Sequence, residues 1–311
     1  MPRELAAPPL AIGVVIVAYE SSDILHRCVV SALIDNHVSQ VVVIDNSSNS
    51  ESERIVAKIS SIDNRVQYVD PASNLGFAKG CNAGAAKLVS PTHVFFVNPD
   101  VILAKPLTPL VDLLESNRYA IVAGRLRSPG HGHGTNRRPL VSRWRELKKS
   151  AIGSRAYRQP LKAYERDKHV VVVGQLDGAL MGMRSETYAA LGGFDEQFEL
   201  YYEDVDICER AQVFGGCALA PIEWGVHVGG ASSATASTLS YCLGRISRLR
   251  YFRKRYGASW VTDATIGVIA AVEFLARSIT AQSEGMHARL QSISQQWAEM
   301  RTPGSVNLLS P

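Results

Sequence analysis

The chain has 311 residues, 46% of them hydrophobic and 20% charged, and carries a net charge of +4, so it can bury a sizeable core in one large α/β domain with an appendage. Its five cysteines (Cys28, Cys81, Cys208, Cys217, Cys242) are scattered without a CxxC pair, which argues against a zinc site or a disulfide framework and suits a reducing compartment. No uncharged stretch reaches membrane-spanning length and the opening MPRELAAPPL lacks a signal peptide's apolar run, so a cytoplasmic protein is expected.

Residues 11–17 are a continuous apolar run, the pattern of a strand buried on both faces. Residues 21–33 read as a helix capped by Ser21 or Ser22, with Ile24, Cys28, Val29 and Ala32 at helical spacing. A strand at 41–44, a helix at 52–60, a short strand at 66–69, a small-residue helix at 76–87 and a strand at 94–97 follow. This alternation predicts an α/β fold, a mostly parallel sheet flanked by helices, whose ligands bind outside the carboxyl ends of the strands. The polar tips Tyr19-Glu20, Asp45-Asn46 and Asn98-Pro99-Asp100 all fall at such ends.

Residues 128–138 read as a mobile loop and 144–150 as a short basic amphipathic helix. Strands are expected at 170–173, 178–183 and 217–220, and helices at 186–191 and 205–214, each stopped by a glycine pair. From 238 to 300 the chain reads as helical with a break at Gly257, and 302–311 as a disordered tail. The expected division is residues 1–230 as an α/β domain with a mobile basic segment at 125–168, and 231–311 as a helical extension.

Charge is unevenly spread. Residues 121–170 carry thirteen Lys and Arg against three acids, and a second cluster comprises Arg245, Arg248, Arg250, Arg253, Lys254 and Arg255. Such clusters are either solvated faces or contacts for an anionic partner such as a phospholipid surface or a lipid-linked diphosphate. Aromatic interleaving is too thin for a nucleic-acid stacking surface, and no nucleic-acid partner is expected.

The acids show the opposite pattern. Asp195, Glu196, Glu199, Glu203, Asp204 and Asp206 lie among Phe194, Phe198, Tyr201 and Tyr202, which places some of these carboxylates in a cleft. One of Glu203, Asp204 and Asp206 is expected to cap the following helix, and another to act as a general base on a hydroxyl; the residues alone do not choose among them. Asp45, at a strand end, either caps a helix or closes an Asx turn, or accepts from the imide N–H of a uracil or thymine ring. The Gly-rich stretch from Asn74 to Gly84 opens a helix, where backbone N–H groups and Lys79 can approach phosphate or ribose, or where small residues pack helix on sheet. It matches neither GxGxxG nor GxxxxGK[ST], which argues against NAD-linked and P-loop enzymes. Asp100 can supply one carboxylate to a hard divalent cation, Asn98 only an amide oxygen. His227, among Gly225, Gly229 and Gly230, is a structural histidine or a metal ligand.

Taken in order, Val17-Ala18-Tyr19, Val43-Ile44-Asp45-Asn46-Ser47, Asn74-Leu75-Gly76-Phe77 with Asn82 and Gly84, Val97-Asn98-Pro99-Asp100, Gly192-Gly193-Phe194-Asp195-Glu196, Glu203-Asp204-Val205-Asp206 with Arg210, and His227 resemble the motifs of family-2 inverting glycosyltransferases. The resemblance spans about residues 11–230, and is nearest to the rhamnosyltransferase branch. It implies a GT-A fold and a nucleotide-diphosphate sugar donor held by Ala18, Tyr19, Glu20, Asp45, Asn46, Gly76, Lys79 and Asn98. It implies a divalent cation (Mg2+ or Mn2+) on Asp100 and His227, with Asn98 standing where the family's metal motif has its first Asp. It makes Asp204 the catalytic base, and has Asp177, Gly178, Ala179 and Glu203 line the sugar and acceptor site. The expected acceptor is lipid-linked or a glycan, reached at the inner face of the membrane through the basic clusters. A nucleotidyltransferase would carry a Gly-rich basic loop where Ala18-Tyr19-Glu20-Ser21 stands; a catalytically inactive sugar-nucleotide-binding protein is the other alternative.

Overall fold

The computed structural model describes residues 9–47, 50–129, 137–142, 145–146, 169–228 and 238–278, with short pieces at 294–295, 298–299 and 301–302. The chain opens with β1 (Ile12–Ala18), α1 (Ser22–Ala32), β2 (Val38–Asp45), α2 (Ser50–Ser60), β3 (Val66–Val69), α3 (Gly76–Ala85) and β4 (His93–Val97). Then come β5 (Val101–Leu103), α4 (Thr108–Glu115), β6 (Ile121–Arg127), β7 (Arg137–Arg138), β8 (Val171–Val173), β9 (Gln175–Leu176) and β10 (Leu180–Arg184). The rest comprises α5 (Ser185–Leu191), α6 (Glu203–Arg210), a 3-10 turn at Ala211–Phe214, β11 (Cys217–His227), α7 (Thr238–Tyr256) and α8 (Trp260–Ser278).

The main sheet runs β3-β2-β1-β4-β10-β6-β11-β5, with β8 also paired to β11. Strands β3, β2, β1 and β4 are mutually parallel, β10 runs antiparallel between β4 and β6, and β11 runs parallel to β6. The chain adds β2 and β3 on one side of β1 and then crosses to place β4 on the other. This reversal opens a crevice at the carboxyl ends of β1 and β4, where open α/β sheets take their ligands.

Alternate residues of β1 serve two cores, as a strand buried on both faces requires. Val14 and Ile16 join Leu25, Cys28, Val29 and Val56 on one face, while Val15 and Val17 join Ala78 and Cys81 on the other. A third core unites Phe198 and Val205 with Leu249, Tyr251, Phe252, Ile266 and Ile269 of α7 and α8. Residues after 230 therefore pack directly onto the acidic segment.

Several expectations shift. Ser21 occupies the cap position of α1 without a side-chain cap bond; its hydroxyl accepts from Tyr19 N–H instead, at 3.3 Å. None of the three acids caps α6, because the cap position falls on Tyr202, whose φ is +70°. The strand expected at 217–220 continues to His227, two register shifts absorbing the Pro221–Trp224 region. Strand β5, helix α4 and strand β6 went unread, and β6 takes residues 125–127 out of the expected mobile basic segment 125–168. Of that segment, 130–136, 143–144 and 147–168 lie outside the described residues, and with them 144 and 147–150 of the expected basic helix, as does the tail from 303 on. The break at Gly257, with φ +81°, separates α7 from α8 as expected.

Gly225 shows how closely the site's edge is built. It pairs with Leu103, and a Cβ there would fall on the carbonyl oxygen of Ile102, which as backbone cannot swing away. Gly225→Ala is expected to lower stability by about 1–3 kcal/mol by forcing β5 from β11, measured by chemical denaturation.

Candidate active site

The turn after β4 is fixed on three sides. Asn98 N–H donates to Ala179 O at 3.0 Å, Val101 N–H to Asn98 O at 3.0 Å, and Val228 N–H to Asp100 O at 2.9 Å. The antiparallel register of β5 on β11 sets His227 opposite Val101 and so beside Asp100. His227 Nε2 lies 3.1 Å from Asp100 Oδ1, the two side chains being 29% and 9% exposed. Burial pulls the imidazole's pKa down, but the hydrogen bond and charge of Asp100 and the charge of Asp177 outweigh it, leaving it above the ordinary histidine value.

Two groups expected to share a cation thus meet. Among the described residues no cluster of three or more His, Cys, Asp or Glu is placed to hold an ion. One carboxylate and one imidazole fit a divalent ion that takes its other ligands from a diphosphate and water, displacing the proton now shared between the two side chains.

The segment between β9 and β10 ties this pair to the acidic helix. Gly178 N–H donates to Asp204 Oδ2 at 3.3 Å, and Val205 N–H to Asp204 Oδ1 at 2.8 Å. Asp177 acts on His227, Gly178 holds Asp204, and Ala179 holds Asn98, so three successive residues link all the expected catalytic and metal groups.

The structure separates the three acids that the residues alone left equal. Glu203 is 6% exposed, and burial, then the charge of Asp204, raise its carboxyl well above the ordinary range. Its Oε2 has no hydrogen-bond partner among the described residues, and its charge adds to burial in raising the Cys81 thiol. It therefore sits in the protein interior, while Asp204, about 100° further round the helix, is half-buried. Asp206 is ion-paired with Arg210 at 2.8 Å and with Lys254 at 2.6 Å. Asp204 is half-buried and held by backbone N–H groups beside the Gly178 turn.

Around the tips of β1 and β2 and the entrance to α3, Tyr19, Glu20 and Lys79 are exposed, Glu20 with φ +46°. Ala18 is buried and its carbonyl accepts from Asn46 N–H at 2.8 Å. The Asx turn foreseen as one reading of Asp45 is present: Oδ1 accepts from Ser47 N–H at 3.0 Å and from the Ser47 hydroxyl, and Oδ2 from Tyr68 Oη at 3.0 Å. Asn46 bonds Gly76 O and Leu75 N–H, which makes it a clamp on the entrance to α3. The first amides of that helix are engaged, Gly76 N–H by Asn74 Oδ1 and Phe77 N–H by Glu199 O. A Cβ at Gly80 or Gly84 would strike Val17 or Val15, so these glycines serve close helix–sheet packing.

Sequence reasoning missed three supports. Tyr68 reaches Asp45 from the neighbouring strand. Asn82 takes Phe194 N–H and Tyr188 Oη on its Oδ1 and donates to Phe194 O and Glu196 Oε1, pinning the Gly192–Glu196 loop. For the second basic cluster the residues alone leave a solvated face and an anionic-partner contact both open, but five of its cations pair internally: Arg248 with Glu146, Arg250 with Glu199 and Glu299, Arg253 with Asp263, Lys254 with Asp195 and Asp206, and Arg255 with Glu209. Only the pairing with acids distant in sequence, invisible along the chain, separates the two readings.

Residues 13–165 match the family model described as Glycosyl transferase family 2. The low-salt glycan biosynthesis hexosyltransferase Agl10 of Haloferax volcanii is 28% identical over 180 residues, 56% of this chain and 54% of that protein, so the match spans about half the length of that relative. The rhamnosyltransferase WbbL of Escherichia coli is 22% identical over 213 residues, 65% of this chain and 77% of that protein. Among solved structures, S. aureus TarS 1-349 superposes with a TM-score of 0.55 at 13% identity, covering 92% of this chain and 80% of that one. The mannosyltransferase PcManGT of Pyrobaculum calidifontis, in complex with GDP-Man and Mn2+, superposes with a TM-score of 0.53 at 14% identity, covering 95% and 88%. These likenesses carry the fold, a GT-A glycosyltransferase architecture.

Burial pushes the Asp195 carboxyl up, but the hydrogen bond from Lys254, the Gln197 N–H and the charges of Lys254 and Arg210 outweigh it and leave it below the ordinary value. A depressed carboxyl contributes stability above its unfolded pKa of about 3.9 and loses it as pH falls through the folded value. The stability gap between wild type and Asp195→Asn is therefore expected to be open at neutral pH and to narrow below about pH 4, read from urea midpoints across the range.

Proposed function

We propose, on the premise that this chain carries a family-2 glycosyltransferase domain over residues 13–165, that it is an inverting glycosyltransferase of glycan biosynthesis. The observation that carries the reading is Asp204, held by the Gly178 amide in the same short segment that orders the Asn98–Asp100 turn and acts on His227. In this reading Asp204 takes the proton of the acceptor hydroxyl as that oxygen attacks the anomeric carbon from the face opposite the nucleotide. The C–O bond to the diphosphate breaks, the nucleotide leaves with its electron pair, and the anomeric centre inverts. Asp100 and His227 would hold a divalent cation, which when bound neutralises charge on the leaving diphosphate. Tyr19, Glu20 and Lys79 hold the nucleotide at the β1–β4 crevice, with Asp45 and Asn98 at its edges and Asn46 and Gly76 shaping the loop.

The donor we propose is dTDP-rhamnose, with UDP-sugars as the alternative, since thymine and uracil offer the same imide edge. The similarity to a rhamnosyltransferase supports the first. The acceptor is a lipid-linked or polysaccharide hydroxyl, met at the inner membrane face through the first basic cluster, residues 121–170. Among the described residues no helix is long and apolar enough to cross a membrane.

Asp204→Asn is expected to lower the transfer rate by about 10²–10⁴-fold while nucleotide affinity stays within about threefold. A variant that keeps most of its activity refutes the base assignment. In a thermal-shift screen of nucleotide sugars, dTDP-rhamnose with Mn2+ should raise Tm most, and Asp100→Ala should remove the metal-dependent part. Stabilisation by a UDP-sugar alone moves the donor to the alternative, and no shift with any nucleotide sugar removes the reading.

A further inference from the structure

We infer that α7 is a positioning element of the candidate active site, and that Lys254 is the residue through which it fixes the turn bearing Asp204. The role assigned to Asp204 rests on the proposed function; the mechanical hold does not. Lys254 Nζ lies 2.6 Å from Asp195 Oδ2 and 2.6 Å from Asp206 Oδ1, and 5.9 Å from the centroid of the Phe198 ring. One ammonium thus bridges the loop that precedes the turn and the helix that follows it. Arg250 donates to Gln197 O at 2.7 Å and pairs with Glu199, Ser247 Oγ donates to Leu200 O at 2.9 Å, and Arg255 pairs with Glu209 at 2.9 Å. From residue 195 to 209, then, one helix holds the acidic segment at closely spaced points.

The backbone there needs such a hold. Tyr201 and Tyr202 have φ of +66° and +70°, two successive non-glycine residues in the left-handed region immediately before α6. Both rest on α7: the Tyr202 ring packs on Tyr251 with centroids 5.4 Å apart, and a Cβ added at Gly244 would come within 3.1 Å of the Tyr201 ring. Neutralisation matters equally. Without Lys254, Asp195 and Asp206 face each other with Arg210, among the described residues, as the cation left beside them, and the first turn of α6 is pushed from the loop beneath it. Because Asp204 is two residues from Asp206, that displacement moves its carboxylate relative to Gly178.

The test uses the full chain with Lys254→Met, Lys254→Arg and Asp195→Asn. Lys254 is 39% exposed, so the methionine variant keeps its packing and removes the charge. Amide exchange of residues 200–206 is expected to rise at least fivefold in Lys254→Met and in Asp195→Asn. In Lys254→Met kcat is expected to fall about 10–100-fold with donor KM within twofold, because a small displacement of a catalytic group costs rate rather than binding; Lys254→Arg should restore most of it. Unchanged exchange at 200–206 overturns the hold whatever the enzyme does. Faster exchange with unchanged kcat reduces the contact to fold stability and overturns the positioning role. A wild-type chain that transfers no sugar from any nucleotide donor defeats the proposed function instead, and the exchange data still decide the hold.

Discussion

The structure depends on the buried parallel contact between β1 and β4. The chain lays β2 and β3 on one side of β1 and then crosses to the other. Neither strand can shift without dragging apolar residues from both cores. The tips after Ala18, Asp45 and Val97 therefore occupy fixed positions, and later segments are built onto them. The ladder from β4 to β10 carries that precision to Ala179, and the pairing of β5 with β11 carries it to His227.

Electrostatics then divides the acids into distinct jobs. Six carboxylates in a twelve-residue stretch cannot all be ionised and exposed to one another at no cost. Asp195, Glu199 and Asp206 are neutralised by Arg and Lys, and Glu203 is buried and driven toward its neutral form. Asp204 accepts from the backbone N–H groups of Gly178 and Val205, which orient a carboxylate. The environment, more than the residue type, sets these acids apart.

Much of this was legible in the chain. The apolar runs of β1, β3 and β4 and the glycine pairs that stop α5 and the 3-10 turn are local signals, and the elements appeared within a few residues of where they were read. The motifs at Asp100, Asp204 and His227 pointed to one neighbourhood, and the 177–179 segment joins them. What escaped reading has physical reasons. Strand β5 has three residues, too few to show alternation, and β6 turns polar halfway along. In β11 the run Pro221, Ile222, Glu223 reads as a turn, whereas bulges carry the strand through it. Glu203 and Asp204 differ in burial because of their helical phase against α3, which no linear pattern displays. The cations of α7 looked like a surface because most of their partners lie on other segments far away in sequence, as Asp195 and Asp206 do from Lys254.

The clasp between α7 and the acidic segment has an evolutionary consequence. Reversing the sign of any one of these side chains strands its counterpart in a partly dry environment, so such changes are tolerated only in matched pairs. The carboxyl-terminal helices and the acidic turn must then be inherited together. Grafting the tail of a distant relative onto this sheet would bring foreign charges against Asp195 and Asp206, even if both halves kept their own folds.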